Sequence, residues 1–108
     1  MKILFDQGTP VPLRNALSPH DVATAFELGW QMLQNGELMT AAEAAAFEAL
    51  VTTDKNIRHQ QNPDGRRLAI LVLPTTDWRR IRNHTGLVVQ AVERLNPGDY
   101  VELSFPEP

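Results

Sequence analysis

Three acidic side chains far apart in the sequence, Asp6, Glu37 and Asp54, stand where carboxylates can do chemistry. Asp6 closes an apolar run, Lys2 to Asp6, and Asp54 follows another, Ala49 to Thr53; each run has the length and composition of a β-strand. If the two strands are parallel, both carboxylates leave the same edge of a sheet. Glu37 stands near the N-terminus of the helix that feeds the strand before Asp54, where the helix dipole favours negative charge. Like charges about 4 Å apart at an effective dielectric near 20 repel by roughly 4 kcal/mol, so three carboxylates gather only around a proton or a cation. Oxygen donors without cysteine or paired histidines select a hard ion, Mg²⁺ or Mn²⁺, that keeps several waters. An ion of this kind activates water and stabilises charge on a phosphate in transfer.

The elements that must carry these groups are legible as an alternation. Pro10 and Pro12 open a short helix carrying Val11, Leu13, Ala16 and Leu17, because proline's missing N–H costs nothing in a first turn. Asp21 to Ala25 reads as a second strand and Glu27 to Leu33 as a short helical turn. Gly36 to Phe47, rich in alanine, reads as the middle helix. Two starts compete for it: Asn35 as N-cap, or Thr40 as N-cap with Glu43 reaching back in a capping box. Asn56 to Gln61 suggests one helical turn, and Asn62-Pro63-Asp64-Gly65 a tight turn. Leu68 to Leu73 is apolar throughout, as a parallel strand covered on both faces requires, and is expected to be central. Asp77 to Leu95 carries Trp78, Ile81, Thr85, Val88, Val92 and Leu95 at steps of three and four, an amphipathic helix facing the core. Tyr100 to Phe105 alternates as an edge strand. The sum is one domain over residues 1–108, an α/β three-layer α/β/α sandwich with a mainly parallel, about five-stranded sheet. Ligands of such sheets bind outside the carboxyl ends of the strands.

Composition narrows the chemistry. Without cysteine there is no disulfide framework, thiolate metal site or cysteine nucleophile. The first acid comes too early for a signal peptide and no apolar run is long enough to span a bilayer, so a cytoplasmic protein with no membrane partner is expected. Charge is uneven: residues 1–54 hold two basic side chains against seven acidic, and residues 55–94 hold eight basic against three acidic. That distribution suits an acidic site beside a basic surface that meets phosphates, although solvated arginines account for it equally well. His20, His59 and His84 are too scattered for zinc, Ser18 and Ser104 lie in no nucleophile motif, and Trp30 and Trp78 read as packing residues.

Asp6 followed by Pro10, then Asn35-Gly36-Glu37-Leu38, then Val51-Thr52-Thr53-Asp54-Lys55-Asn56, together resemble the PIN-like nuclease domains, closest to a short, single-domain, VapC-like branch of uncharacterised bacterial proteins. The resemblance covers essentially the whole chain. It implies a parallel sheet between helices, a Mg²⁺- or Mn²⁺-dependent ribonuclease, RNA as substrate, and often the role of toxin beside an antitoxin protein; a homodimer is compatible with it. It places the metal-binding and catalytic role on Asp6, Glu37 and Asp54, with bound water as nucleophile. Where the short members often carry further acids, this chain has Gln7 and Asn56, amides that still ligate or orient water but lower the charge of the cluster. Thr53 joins these two as an auxiliary candidate, while Thr52 and Thr53 also satisfy strand propensity and turn bonding. Lys55, Arg58, Arg79 and Arg82, with Arg80 between the last two, are candidates for RNA-phosphate contacts. Two other readings follow from the same residues: a degenerate PIN-like domain that binds RNA or protein without cleaving, and a phosphoacceptor domain resembling response-regulator receivers. The latter needs a lysine after the last strand, whereas the lysines here are Lys2 and Lys55.

Overall fold

The computed structural model describes residues 1–57 and 66–106. Its five strands, β1 (Lys2–Phe5), β2 (Asp21–Thr24), β3 (Ala49–Thr52), β4 (Ala69–Val72) and β5 (Tyr100–Glu102), form one sheet in the order β2-β1-β3-β4-β5. Every pairing is parallel. Among the described residues the elements assigned as helices are α1 (Leu13–Ala16), α2 (Asn35–Ala44), α3 (Trp78–Ile81) and α4 (Thr85–Glu93), the last two joined by a 3₁₀ turn, Arg82–His84.

Period-two alternation divides the sheet's side chains between two hydrophobic clusters. Ile3, Phe5, Val51 and Leu71 pack with Leu13 and Leu17 around α1 and with Ile81, Val88 and Val92 of the C-terminal helices. Leu4, Leu50, Ile70 and Val72 pack with Leu38, Met39 and Ala42 of α2. The right-handed crossover rule sends successive helices to opposite sides when the chain reverses its direction across a sheet, and α1 and α2 follow it. The C-terminal helices lie on the α1 side although the chain still runs in the β2-to-β3 direction, so the β4-to-β5 crossover has the opposite hand. The chain steps from β1 outward to β2, then back over β1 to β3. Every residue of β3 and β4 is buried, which explains their unbroken apolar sequences. The middle position belongs to β3, with β4 one place nearer the edge, and β5 is an edge strand as expected.

Several boundaries differ from those expected. The segment Glu27 to Leu33 is a succession of turns, not a helix: Gly29 adopts φ +74°, and Trp30 N–H returns to the Ala25 carbonyl. Helix α2 begins one residue before Gly36, and its N-cap is Gln34, neither Asn35 nor Thr40. Glu43 serves elsewhere, receiving Arg66 at 2.8 Å and the Arg67 N–H at 3.0 Å. The helix stops at Ala44, three residues before Phe47, because Ala46 turns into the left-handed region (φ 66°) while Phe47 N–H bonds the Ala42 carbonyl at 2.9 Å. The long helix expected over Asp77 to Leu95 has Asp77 as N-cap and is broken at Arg82–His84. Asn83 there turns its side-chain amide onto the Arg79 carbonyl at 3.1 Å, a local bond that competes with regular helix. Strand β5 ends at Glu102 instead of Phe105. The helical turn expected over Asn56 to Gln61 and the Asn62–Gly65 turn lie largely outside the described residues.

Candidate functional site

Strand order decides where a site belongs. Between β1 and β3 the connections leave in opposite directions, and in open parallel sheets the crevice at the carboxyl end of such a switch point is where ligands bind. Asp6 and Asp54 come directly after β1 and close after β3, one on each side of that crevice.

One buried hydroxyl links them. Thr52 Oγ1 donates to Asp6 Oδ2 and accepts from the backbone N–H of Asp54 at 3.1 Å. Thr52 is fully buried, held where β3 ends by the Leu73 N–H, which donates to its carbonyl at 2.8 Å. The other oxygen of Asp6 accepts from Thr9 Oγ1 at 2.7 Å, and Thr9 Oγ1 also lies 2.9 Å from the Val51 carbonyl. A hydroxyl has one proton, so Thr9 serves one of those acceptors at a time while Asp6 is ionised. Burial raises the Asp6 carboxyl above its ordinary value, an effect only partly offset by hydrogen bonds from Thr52, Thr9 and the backbone N–H groups of Gly8 and Thr9. Among the described residues no lysine or arginine forms an ion pair with Asp6 or Asp54.

Asp54 is held differently. Its Oδ2 accepts from the side-chain amide of Asn35 at 2.8 Å and its Oδ1 from the backbone N–H of Asn56 at 2.9 Å. Asn35 therefore orients a carboxylate from the first residue of α2 instead of capping the helix. Glu37 is exposed and its carboxylate accepts the Gln34 N–H at 3.0 Å, closing a capping box on α2. The three-carboxylate group expected from sequence is not formed: among the described residues no three histidine, cysteine, aspartate or glutamate side chains gather as a metal site. What the structure assembles is a pair, Asp6 and Asp54, framed by Thr9, Thr52 and Asn35.

The auxiliary candidates surround this pair. Gln7 and Asn56 are exposed on its rim. Thr53 packs against the β1 loop so closely that a Cβ on Gly8 would stand 2.5 Å from Thr53 Oγ1, which fixes glycine there. Lys55 is exposed beside Asp54, and Arg79, Arg80 and Arg82 are exposed where the chain restarts after β4. Arg58 and His59 lie outside the described residues. His20 contacts the terminal amine of Met1 and Glu93, and His84 stacks on Phe105, so neither approaches Asp6. Trp78 packs against the first cluster and Trp30 against the second.

The donor set fits a hard cation. Each carboxylate retains acceptor capacity beyond its present bonds, and Mg²⁺ is commonly held by one or two carboxylates with the rest of its shell from water and phosphate. Sequence reasoning did not find Thr9 or the orienting role of Asn35. The signal for Thr9 was its place three residues after Asp6, within reach of the same turn. In comparisons with known proteins, no family model matches the chain, and no curated protein or solved structure is similar enough to count as a match.

Proposed function

We propose that this chain is a PIN-like, metal-dependent endoribonuclease with a three-layer α/β/α architecture, in which Asp6 and Asp54 hold Mg²⁺ or Mn²⁺. One observation carries the reading: two carboxylates flank the switch-point crevice, share the Thr52 hydroxyl network, and have no basic side chain paired with them among the described residues. Bound there, the ion supplies an activated water and charge stabilisation at the phosphate. The chain's own groups do the rest. Thr52 ties the Asp6 carboxylate to the backbone of Asp54, Thr9 and Asn35 orient the two carboxylates, and Lys55 with Arg79 and Arg82 attracts the RNA backbone to the rim. Glu37 is not gathered with the two aspartates and becomes a third ligand only if its side chain moves toward them. A partner antitoxin and a cytoplasmic setting belong to the same reading.

The test is cleavage of a mixed-sequence RNA with and without Mn²⁺. Wild-type protein cuts only with the metal; Asp6→Asn and Asp54→Asn are inactive, and Glu37→Gln retains part of the activity. Metal-independent cleavage, or full activity in either aspartate variant, refutes the assignment. A non-cleaving module is the second reading, favoured by Gln7, Asn56 and the engagement of Glu37 in its cap; it predicts RNA or protein binding with no turnover. Strand order also fits a receiver-like phosphoacceptor domain. Against that, Lys2 begins β1 at the opposite edge of the sheet, bonded to the Ala45 carbonyl and 4.4 Å from the centre of the Phe47 ring.

A further inference from the structure

Beside Asp6 the turns between β2 and α2 border a half-open cavity of about 150 Å³, lined by Asp6, Trp30, Gln31, Asn35 and Leu38 among others. Space on this order admits a single six-membered ring. Trp30 gives it an aromatic wall, and Phe47 packs edge-on against Trp30, with ring centres 6.1 Å apart at 72°. The Gln31 carbonyl oxygen, Oε1, is buried and has no hydrogen-bond partner among the described residues. A buried polar atom left in that state is rare and calls for an explanation. Rotation about the last side-chain torsion, which is broad and roughly two-fold, turns the amide toward the cavity, where an N–H satisfies the oxygen.

The geometry points to a pyrimidine subsite: the cavity takes the base of a nucleotide next to the phosphate at Asp6, and the Gln31 amide reads its hydrogen-bonding edge. This rests on the RNA reading above. A glutamine amide presents one acceptor and a pair of donors. Cytosine offers an amino donor beside a ring-nitrogen acceptor, and uracil an imino donor beside carbonyl acceptors, so both are complementary to it. Purines carry a second fused ring that the cavity does not accommodate. Trp30 stacks on the base without regard to its identity, so selectivity comes from cavity size and Gln31.

The experiment measures binding of fluorescein-labelled heptanucleotides of uridine, cytidine and adenosine in Mg²⁺ at 4 °C, with intact probe verified on a gel. Wild-type protein should prefer both pyrimidine probes over adenosine by about ten-fold, the scale of discrimination by a single pocket contact. Gln31→Leu and Gln31→Met, which remove the unpaired carbonyl, should melt no lower than wild type and narrow that preference without weakening adenosine binding. Equal wild-type affinity for all three probes, or a preference undiminished in both variants, overturns the subsite and leaves the ribonuclease reading intact. If no probe binds and the mixed-sequence RNA is not cut, both fall together.

Discussion

Replacing Asp6 by asparagine should stabilise this protein at neutral pH while destroying the chemistry proposed for it. Burial raises the folded carboxyl above its ordinary value of 3.8, so ionisation opposes folding. The sign follows from linkage. Below 3.8 the group is protonated in both folded and unfolded chains and contributes no difference; as pH rises through 3.8 and then through the raised folded value, stability is lost, and the full loss persists at neutrality. Each unit of elevation corresponds to about 1.4 kcal/mol. Geometry adds to this. Asparagine keeps an oxygen for the Thr52 hydroxyl and gives an N–H to Thr9 Oγ1, which frees the single Thr9 proton for the Val51 carbonyl 2.9 Å away. The Val51 carbonyl is then no longer left waiting, while the backbone N–H groups of Gly8 and Thr9 must share the one remaining oxygen. The hydrogen bond freed for Val51 is alone worth about 0.5–1.5 kcal/mol at pH 7.5 in a chelator, and a domain of this size gains roughly 4–8 °C per kcal/mol. Thermal melts of both proteins at pH 3.5 and pH 7.5 measure it, and adding Mg²⁺ should raise the melting temperature of wild type but not of the variant. A variant less stable at pH 7.5, or one whose advantage does not shrink at pH 3.5, refutes the account of Asp6.

Thr52→Val, nearly isosteric, strips Asp6 of a donor and leaves the Asp54 N–H without its acceptor; a loss of about 1–3 kcal/mol in denaturant titrations is expected, with Thr52→Ser close to wild type. Ala46→Gly should stabilise by roughly 0.5–1 kcal/mol, because Ala46 sits at φ 66° in the position past α2 where glycine is free of strain; no change in the denaturation midpoint would contradict this. Burial pushes the Glu43 carboxyl up, yet Arg66 and the backbone N–H groups of Arg67 and Leu68 outweigh it and hold the group below its ordinary 4.5. That stabilisation is complete above 4.5 and disappears as pH falls through the lowered folded value. Since both partners are about a quarter exposed, Glu43→Gln should cost only about 0.5–1 kcal/mol at pH 7 and almost nothing at pH 3, measured by melting.

The sheet was legible because its signals are local. Leu68 to Leu73 is apolar at every position and Tyr100 to Phe105 alternates; both produced strands, the first near its expected bounds and the second ending three residues early. Placing Asp6 and Asp54 on one rim needed only the assumption of parallel strands, which the pairings satisfy. Caps were less legible, since Gln34, Asn35 and Thr40 all precede apolar helical spacing and only the three-dimensional path to Asp54 chooses among them. Glu37 illustrates the limit of reasoning from residue type. Three residues past the N-cap, its carboxylate is satisfied by a neighbouring N–H, and sequence gives no means of weighing that against a cation supplied from elsewhere. The break at Arg82–His84 escaped notice because the apolar stripe continues across it in register.

The bond from the Leu73 N–H to the Thr52 carbonyl bears on the order of events at the ribosome. Asp6, Asn35, Thr52 and Asp54 all precede β4 in the chain and are synthesised before it, yet β3 has an open edge until β4 emerges and docks along it. A nascent chain therefore holds every acidic group of the crevice before it holds the scaffold that aligns them. Under the ribonuclease proposal, such a chain stays harmless until β4 has docked and would acquire its activity together with its sheet.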